Sequence, residues 1–231
     1  MFSQLPLPLP FKPALSREDF LVSPCNAAAV ATIESSDLWP NGVAILCGPR
    51  GSGKSHLSAV WQDFSGAVGI LAPSVTTDLV AERLTLDKRN IIVEQADERR
   101  DETALFHLIN DARDHGYSVL FTCCLPVAKW GVQLPDLSSR LAAAAQAFIK
   151  LPDESLLAAV LIKQLADKHV QITPRVLDYI IPRVGRSFAE IRTLAEEINH
   201  ATLVQKKPVT LPLVRSILMQ KHTPERVYGS L

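Results

Sequence analysis

The sequence contains no long apolar run, no excess of one charge and no paired cysteine motif. No window approaches the roughly 18 uninterrupted apolar residues of a membrane span, which predicts a soluble protein. Basic and acidic residues both number 24, so the chain lacks the charge excess of an autonomous duplex-DNA-binding protein. The four cysteines form no C-x-x-C pair and no spacing with histidine that would complete a zinc site. Reduced thiols are therefore expected.

The N-terminal segment lacks the basic region and the continuous apolar run of a signal peptide. Prolines at every second position from Pro6 to Pro10 exclude a helix there. We therefore predict a cytoplasmic protein with an extended tail over residues 1–13. The chain as a whole has 47% hydrophobic and 21% charged residues, which is the composition of a globular protein.

Short apolar runs alternate with helical patterns in the first two thirds of the chain. The predicted strands are 43–47, 68–71, 91–93, 119–121 and 147–149. Strands that alternate with helices indicate a parallel, doubly wound sheet. After Pro152 only helical patterns remain, and they predict helices over 154–168, 174–183, 187–204 and 211–220. The sequence thus predicts an α/β base over 14–152 and an all-helical domain over 153–231.

A glycine-rich segment joins the first predicted strand to a predicted helix that begins at Lys54. Its eight residues match the phosphate-binding P-loop pattern in full: Gly48, Pro49, Arg50, Gly51, Ser52, Gly53, Lys54 and Ser55. The glycines let backbone N–H groups point at phosphate oxygens, and the lysine charge reaches the β and γ positions. The hydroxyl of Ser55 is a candidate ligand for Mg²⁺. This pattern predicts binding of ADP or ATP.

The third predicted strand ends in a modified version of the motif that supports hydrolysis. P-loop ATPases use one acid to hold Mg²⁺ and a second group to orient the attacking water. Glu94 can hold the metal, but the next residue is Gln95, which cannot act as a base. Asp97 can replace it only if the strand has already ended, and it can equally cap the following helix. We therefore predict nucleotide binding with weak or absent hydrolysis.

Several segments resemble the replication initiator DnaA, in the same order along nearly the whole chain. Besides the P-loop they are residues 19–26 (DFLVSPCN), 119–126 (VLFTCCLP), 135–141 (PDLSSRL) and 185–194 (GRSFAEIRTL). Together with the start of the chain, they make it similar to the Hda family of DnaA-related AAA+ regulators. The resemblance implies an AAA+ fold, with a doubly wound parallel five-stranded sheet, helices on both faces and a small helical lid.

The resemblance also implies roles for individual residues. Arg140 falls in the motif that presents an arginine finger to the nucleotide of a neighbouring subunit, and the guanidinium group suits this role because it is always charged and forks onto phosphate oxygens. The alternative is a surface arginine paired with Asp136. Leu21, Val22 and His56 are expected to join the P-loop in contacting the nucleotide.

The residues expected to sense the nucleotide are less typical of the family. Thr122 ends the fourth predicted strand, where the family places a polar residue near the γ-phosphate. Ala189 stands where relatives have the arginine of the lid that contacts nucleotide. Arg186 and Arg192 lie one turn to either side and are the remaining candidates, although a solvated helix face explains them equally well.

The tail contains the other functional motif. Gln4, Leu5, Leu7 and Leu9 resemble the peptide with which bacterial replication proteins bind the sliding clamp, the β subunit of DNA polymerase III. An extended, proline-stiffened peptide loses little entropy when it docks. The alternative is a proline-rich terminus without a partner.

The combined interpretation is a negative regulator of replication initiation. Tethered to the DNA-loaded clamp, it would stimulate hydrolysis of DnaA-bound ATP in trans through Arg140. Its partners are then DnaA, the clamp, DNA through those partners and, as a further option, a nucleotide-dependent homo-oligomer. Two alternatives remain: an autonomous ATPase of the helicase-loader type that remodels a replication partner, and a binding module in which the P-loop is a relic.

Overall fold

Five parallel strands form a single sheet in the computed structural model, which describes residues 17–81, 89–205 and 207–221. The strands are β1 (Val43–Cys47), β2 (Val68–Leu71), β3 (Ile91–Glu94), β4 (Val119–Cys123) and β5 (Ala145–Phe148). Their order in the sheet is β2-β3-β4-β1-β5. The predicted clamp-binding residues Gln4, Leu5, Leu7 and Leu9 lie outside the described residues.

Nine α-helices lie within the described residues. They are α1 (Ala27–Glu34), α2 (Lys54–Ser65), α3 (Thr77–Leu79), α4 (Glu102–His115), α5 (Pro135–Ala143), α6 (Glu154–Ala166), α7 (Pro174–Ile180), α8 (Phe188–Gln205) and α9 (Leu211–Lys221). Among these described helices, none is both long enough and apolar enough to cross a membrane.

The interior strand β1 is buried on both faces because helices cover both sides of the sheet. Side chains alternate across a strand, so Val43 and Ile45 face the core formed with α4 and α5. Ala44 and Leu46 face the opposite core, formed with α1 and α2. This arrangement confirms the predicted doubly wound α/β fold with helices on both faces.

The chain after β5 is helical and has its own core. Helices α6 to α9 pack around buried leucine, isoleucine and valine side chains, including Leu161, Ile180, Leu194 and Val214. Asp153 begins this region as the N-cap of α6, where its carboxylate accepts a hydrogen bond from the N–H of Leu156 at 2.8 Å.

The fifth strand is displaced from its predicted position. The apolar run predicted β5 over 147–149, but the strand spans Ala145–Phe148. Its pairing with β1 explains the difference, because Ala145 is the register partner of Ala44, and Phe148 is that of Cys47. Hydrogen bonding to β1 thus extends the strand over Ala145 and Gln146, which the apolar pattern left out. The strand ends next to the start of the P-loop.

Candidate nucleotide-binding site

The P-loop connects the end of β1 directly to the start of α2. Its backbone requires glycine at two positions, since Gly51 has φ 74° and Gly53 has φ 98° and side chains disfavour this left-handed region. Gly53 is the N-cap residue of α2, so the first N–H groups of the helix lie beside the loop. A helix N-terminus favours negative charge. The loop therefore has the backbone of an anion-binding site.

Lys54 is held against the inner side of this loop. Its Nζ donates to the carbonyl oxygens of Gly48 at 2.5 Å and Pro49 at 2.9 Å. It also lies 3.7 Å from the sulfur of Cys124, which follows β4. The ammonium group is thus fixed where the ends of β1 and β4 meet.

The residues of the loop fit a phosphate-bearing ligand. Ser52 is only 1% exposed, yet its Oγ has no hydrogen-bond partner among the described residues. Buried hydroxyls are normally paired, so this group is available to a ligand. A Cβ on Gly48 would lie 2.8 Å from that hydroxyl and 2.7 Å from the carbonyl oxygen of Ile149. Glycine is therefore required for the close packing beneath the loop.

Arg50 differs from the other P-loop residues in its surroundings. Its guanidinium group pairs with the carboxylate of Glu98 at 3.0 Å, and 83% of its side chain is exposed. A salt bridge this exposed contributes little to stability. In this structure the side chain of Arg50 therefore contacts the loop after β3.

A cavity of about 310 Å³ adjoins the last glycine of the P-loop. The base lines it with Leu21, Gly53 and His56, and the helices after Asp153 line it with Phe188 and Arg192, among others. This volume lies within the range of small-ligand sites. The cavity can therefore accept the base and sugar of a nucleotide whose phosphates lie on the loop.

Asn26 fixes the segment that brings Leu21 to the cavity. It is buried, its Nδ2 donates to the carbonyl of Leu21 at 3.0 Å, and its Oδ1 accepts from the N–H of Ser23 at 2.8 Å. Phe20 packs beside it with its ring edge-on to His56, at 5.0 Å between centroids. Leu21 and His56 were predicted from the sequence, whereas Asn26 was not, because a buried amide has no signature in a local pattern.

Not every predicted nucleotide contact lies at this cavity. Val22 is 49% exposed and does not line it. Of the two lid candidates, Arg192 lines the cavity and Arg186 does not, while Ala189 is exposed in the first turn of α8. The structure therefore brings one of the two predicted lid arginines to the site.

The helical region contacts the base at two points beside the cavity. The N–H of Phe188 donates to the carbonyl of Gly51 at 2.9 Å, and the ammonium of Lys163 pairs with the carboxylate of Asp19. Lys163 and Asp19 both line the cavity. No local signal could reveal a pair whose members lie 144 residues apart.

Asp97 has a role that differs from both sequence alternatives. Its Oδ2 accepts hydrogen bonds from the N–H groups of Cys124 at 2.9 Å and Leu125 at 2.8 Å. It does not cap the following helix, because Asp101 caps α4 and accepts from the N–H of Ala104 at 3.0 Å. Strand β3 ends at Glu94, before Asp97, which is the condition that a catalytic role for Asp97 required. Its carboxylate, however, is hydrogen-bonded to the backbone after β4.

Thr122 and Gln95 join the ends of β3 and β4. Thr122 is buried, and its Oγ1 accepts a hydrogen bond from the N–H of Gln95 at 3.4 Å. Gln95 has φ 58°, a left-handed conformation that is uncommon outside glycine. The predicted sensor residue therefore stabilises the turn that follows β3.

The predicted Mg²⁺ ligands stand on separate elements. Ser55 is exposed in the first turn of α2, and Glu94 is half-buried at the end of β3. Within the described ranges, no group of three or more histidine, cysteine, aspartate or glutamate residues could hold a metal ion. The Mg²⁺ site therefore remains a prediction that involves the phosphates of the nucleotide as further ligands.

Arg140 lies away from the cavity on α5. Leu137 and Leu141 of this helix are buried in the core, whereas Arg140 is half-buried and does not line the cavity. In the part of the chain that the structure describes, no ion pair joins Arg140 to Asp136. The arginine-finger role and the alternative of a surface arginine both stay predictions.

Comparison with known proteins finds similarity to the Hda lid domain and to DnaA. Residues 153–218 match the sequence model of the Hda lid domain. The DnaA initiator of Leifsonia xyli subsp. xyli (strain CTCB07) is 24% identical over 248 residues, which cover 88% of this chain and 48% of that protein. The chain thus spans about half the length of this relative.

The fold is similar to that of solved DnaA structures. Domain III of the Thermotoga maritima initiator has a TM-score of 0.78 at 20% identity, covering 94% of this chain and 100% of that one. AMPPCP-bound DnaA from Aquifex aeolicus has a TM-score of 0.70 at 15% identity, covering 91% and 70%. These likenesses confirm the predicted AAA+ fold with a helical lid.

Proposed function

We propose that this chain, which is similar to the Hda lid domain and to DnaA, binds ADP or ATP and regulates DnaA. It acts as an activator in trans: Arg140 enters the ATP site of DnaA and promotes hydrolysis there. DnaA returns to its ADP form, and initiation is not repeated. The observation that carries this proposal is the position of Arg140, which is half-buried on α5 and does not line the nucleotide cavity of its own chain.

The nucleotide of this chain has a structural role in the proposal. Its phosphates lie on the P-loop, where Lys54 and the N-terminus of α2 supply positive potential. Its base and sugar occupy the cavity between base and lid, beside Leu21, His56 and Arg192. A ligand that contacts both regions stabilises their arrangement. ADP suffices for this role, with Mg²⁺ on Ser55 and Glu94 where a metal accompanies it.

Weak hydrolysis by the chain itself follows from the loop after β3. Gln95 cannot take a proton from water, and the Oδ2 of Asp97 accepts two backbone hydrogen bonds that hold this carboxylate at the backbone after β4. A general base must lie within reach of the attacking water. An AMPPCP-bound relative supports nucleotide binding in this fold, while turnover in cis is not required by the proposal.

The tail provides the tether. Gln4, Leu5, Leu7 and Leu9 bind the sliding clamp loaded on DNA, which concentrates the regulator near DnaA. Tethering raises the effective concentration of a weak partner contact without any new interface. DNA is then reached through the clamp and DnaA, in keeping with the zero net charge of the chain.

The proposal is tested by the rate at which DnaA hydrolyses ATP in the presence of DNA-loaded clamp and this protein. Arg140→Ala should abolish the stimulation, because arginine fingers contribute on the order of 10³-fold or more to such rates. Arg140→Lys should also fail, since lysine lacks the planar fork. Arg175→Ala, at an exposed position on α7, is the matched control and should remain active.

The tether is tested in the same assay. Changing Gln4 and Leu5 together to alanine should reduce stimulation at low protein concentration, and high concentration should restore it, because only the effective concentration is lost. Undiminished activity of Arg140→Ala would refute the trans mechanism. Equal activity of the Gln4 and Leu5 variant at every concentration would refute the tether.

Two other functions predict different results. An autonomous ATPase hydrolyses ATP alone and loses this activity in Lys54→Ala, whereas the engaged carboxylate of Asp97 favours little turnover. A pure binding module has no affinity for ADP. An increase of several degrees in the melting temperature with ADP would exclude that module, because only ligands that bind the folded state stabilise it.

A further inference from the structure

Three of the four cysteines meet beside the P-loop. Cys47 ends β1 and Cys123 ends β4, and the two are register partners in adjacent strands. Cys124 follows directly, and its sulfur lies 3.7 Å from the Nζ of Lys54. The proposed function uses none of these thiols.

Two of the three thiols are protected. Cys47 is 4% exposed and Cys123 is 1% exposed. Burial is the main cause that raises the pKa of each thiol above its ordinary value, so both stay protonated. Since the thiolate is the nucleophile, a buried and protonated thiol is inert.

Cys124 has the opposite surroundings. It is only half-buried, and its backbone N–H is held by the carboxylate of Asp97 at 2.9 Å. Its sulfur contacts the ammonium group that a P-loop uses for the β and γ phosphates. The chain therefore fixes the thiol of a half-buried residue beside a cation in the expected phosphate site.

We propose that Cys124 is a thiol-modification site that forms a mixed disulfide with small anionic disulfides, and that this modification and nucleotide binding exclude each other. Lys54 attracts the anionic groups of the reagent, as it does those of phosphate. A group attached to the sulfur would lie between Lys54 and any phosphate. The exclusion rests on the proposed nucleotide binding, whereas the modification itself does not.

The reaction is a thiol–disulfide exchange. The sulfur of Cys124, after losing its proton to solvent, attacks one sulfur of the reagent, and a new S–S bond forms. The S–S bond of the reagent breaks, its second sulfur leaves as a thiolate and takes up a proton. Cys124 is oxidised from thiol to disulfide, and one half of the reagent is reduced to a thiol.

The test uses oxidised glutathione and the full chain, with each cysteine followed by mass spectrometry. Cys25 is the internal reference, because it is also half-buried and its sulfur contacts the hydroxyl of Ser23 at 3.0 Å. We expect Cys124 to react faster than Cys25. With ADP at about 100 times its Kd, the free site falls to about 1%, so Cys124 should slow by about 100-fold while Cys25 is unchanged.

A second measurement compares ADP binding by calorimetry before and after treatment. The modified wild type should lose ADP binding and recover it after reduction. Cys124→Ser should bind ADP equally before and after treatment, whereas Cys25→Ser should behave like the wild type. This comparison is made within each variant, so a change in starting affinity does not affect it.

Two results would overturn the proposal. One is a Cys124 that reacts no faster than Cys25. The other is unchanged ADP affinity in protein fully modified at Cys124. If untreated protein bound no ADP at all, nucleotide binding would be refuted, and the relative rates of Cys124 and Cys25 would still decide the modification site.

Discussion

Replacing Gly51 with alanine tests the contact between the P-loop and the helical lid. Gly51 has φ 74°, and a Cβ at this position would lie 2.2 Å from the Oγ of Ser187. That hydroxyl accepts a hydrogen bond from the N–H of Ala189 at 3.2 Å. The carbonyl of Gly51 also accepts from the N–H of Phe188. A methyl group here therefore disturbs both the backbone of the loop and the start of α8.

Two effects determine how much stability Gly51→Ala loses. The left-handed conformation costs a residue with a side chain about 1–2 kcal/mol. Rotating Ser187 away from the new methyl group removes its hydrogen bond to Ala189, which costs about 1 kcal/mol more. The total of about 2–3 kcal/mol corresponds to a fall in melting temperature of about 4–12 °C for a chain of this size.

Gly66 supplies the matched control for the thermal denaturation assay. It has φ 68° at the C-terminus of α2, and a Cβ there would meet nothing within 4 Å. Gly66→Ala therefore carries only the conformational cost. Gly51→Ala should exceed it by about 1 kcal/mol, or about 2–4 °C. In a Ser187→Gly background, Gly51→Ala and Gly66→Ala should lower the free energy of unfolding by the same amount. Equal costs in the wild-type background would refute the close approach of the lid to the P-loop.

Three other perturbations follow from the same contacts. Asp97→Ala leaves two backbone N–H groups without an acceptor, so urea denaturation should show a loss of about 1–3 kcal/mol, with a smaller loss for Asp97→Asn. Burial, and then the hydrogen bond to Asp111, raise the pKa of Tyr117 above its ordinary value of 10.0, so the folded state keeps a proton that the unfolded state releases. The contribution of Tyr117 to the free energy of unfolding should be complete below about pH 10 and decline above it. Denaturation of the wild type and of Tyr117→Phe at about pH 9 and about pH 11 measures this decline. An equal loss of stability in the two proteins would contradict the raised pKa. Lys163→Met and Asp19→Asn should be non-additive in their effects on ADP affinity, with a coupling of about 0.5–3 kcal/mol, and additivity would contradict their pairing at the cavity.

The elements that the sequence predicted well are those set by local patterns. The P-loop, β1 and α2 occupy the predicted positions, because glycine spacing, a short apolar run and a helical pattern are adjacent in the chain. The displacement of β5 shows where local patterns fail: its bounds depend on hydrogen bonds to β1, which lies about a hundred residues earlier. A pattern of apolar residues has no information about that register.

The site could be predicted in part for the same reason. Leu21 and His56, which were expected to contact the nucleotide, line the cavity, whereas Val22 does not. Of the two remaining lid candidates, Arg192 lines it and Arg186 does not. The contacts that join base and lid were not predictable. They depend on how the lid docks against the loop, and they form between residues more than a hundred positions apart.

The departures from a hydrolytic P-loop site are concentrated where β3 and β4 end. The carboxylate of Asp97 accepts a hydrogen bond from the backbone after β4, and the hydroxyl of Thr122 accepts one from the N–H of Gln95. Each contact makes this edge of the sheet more rigid, and each uses a polar group that an ATPase would direct at water or phosphate. The phosphate loop, by contrast, keeps the full P-loop pattern from Gly48 to Ser55. From these contacts we expect the isolated chain to show little turnover in an ATPase assay, as the proposed action of Arg140 in another subunit allows.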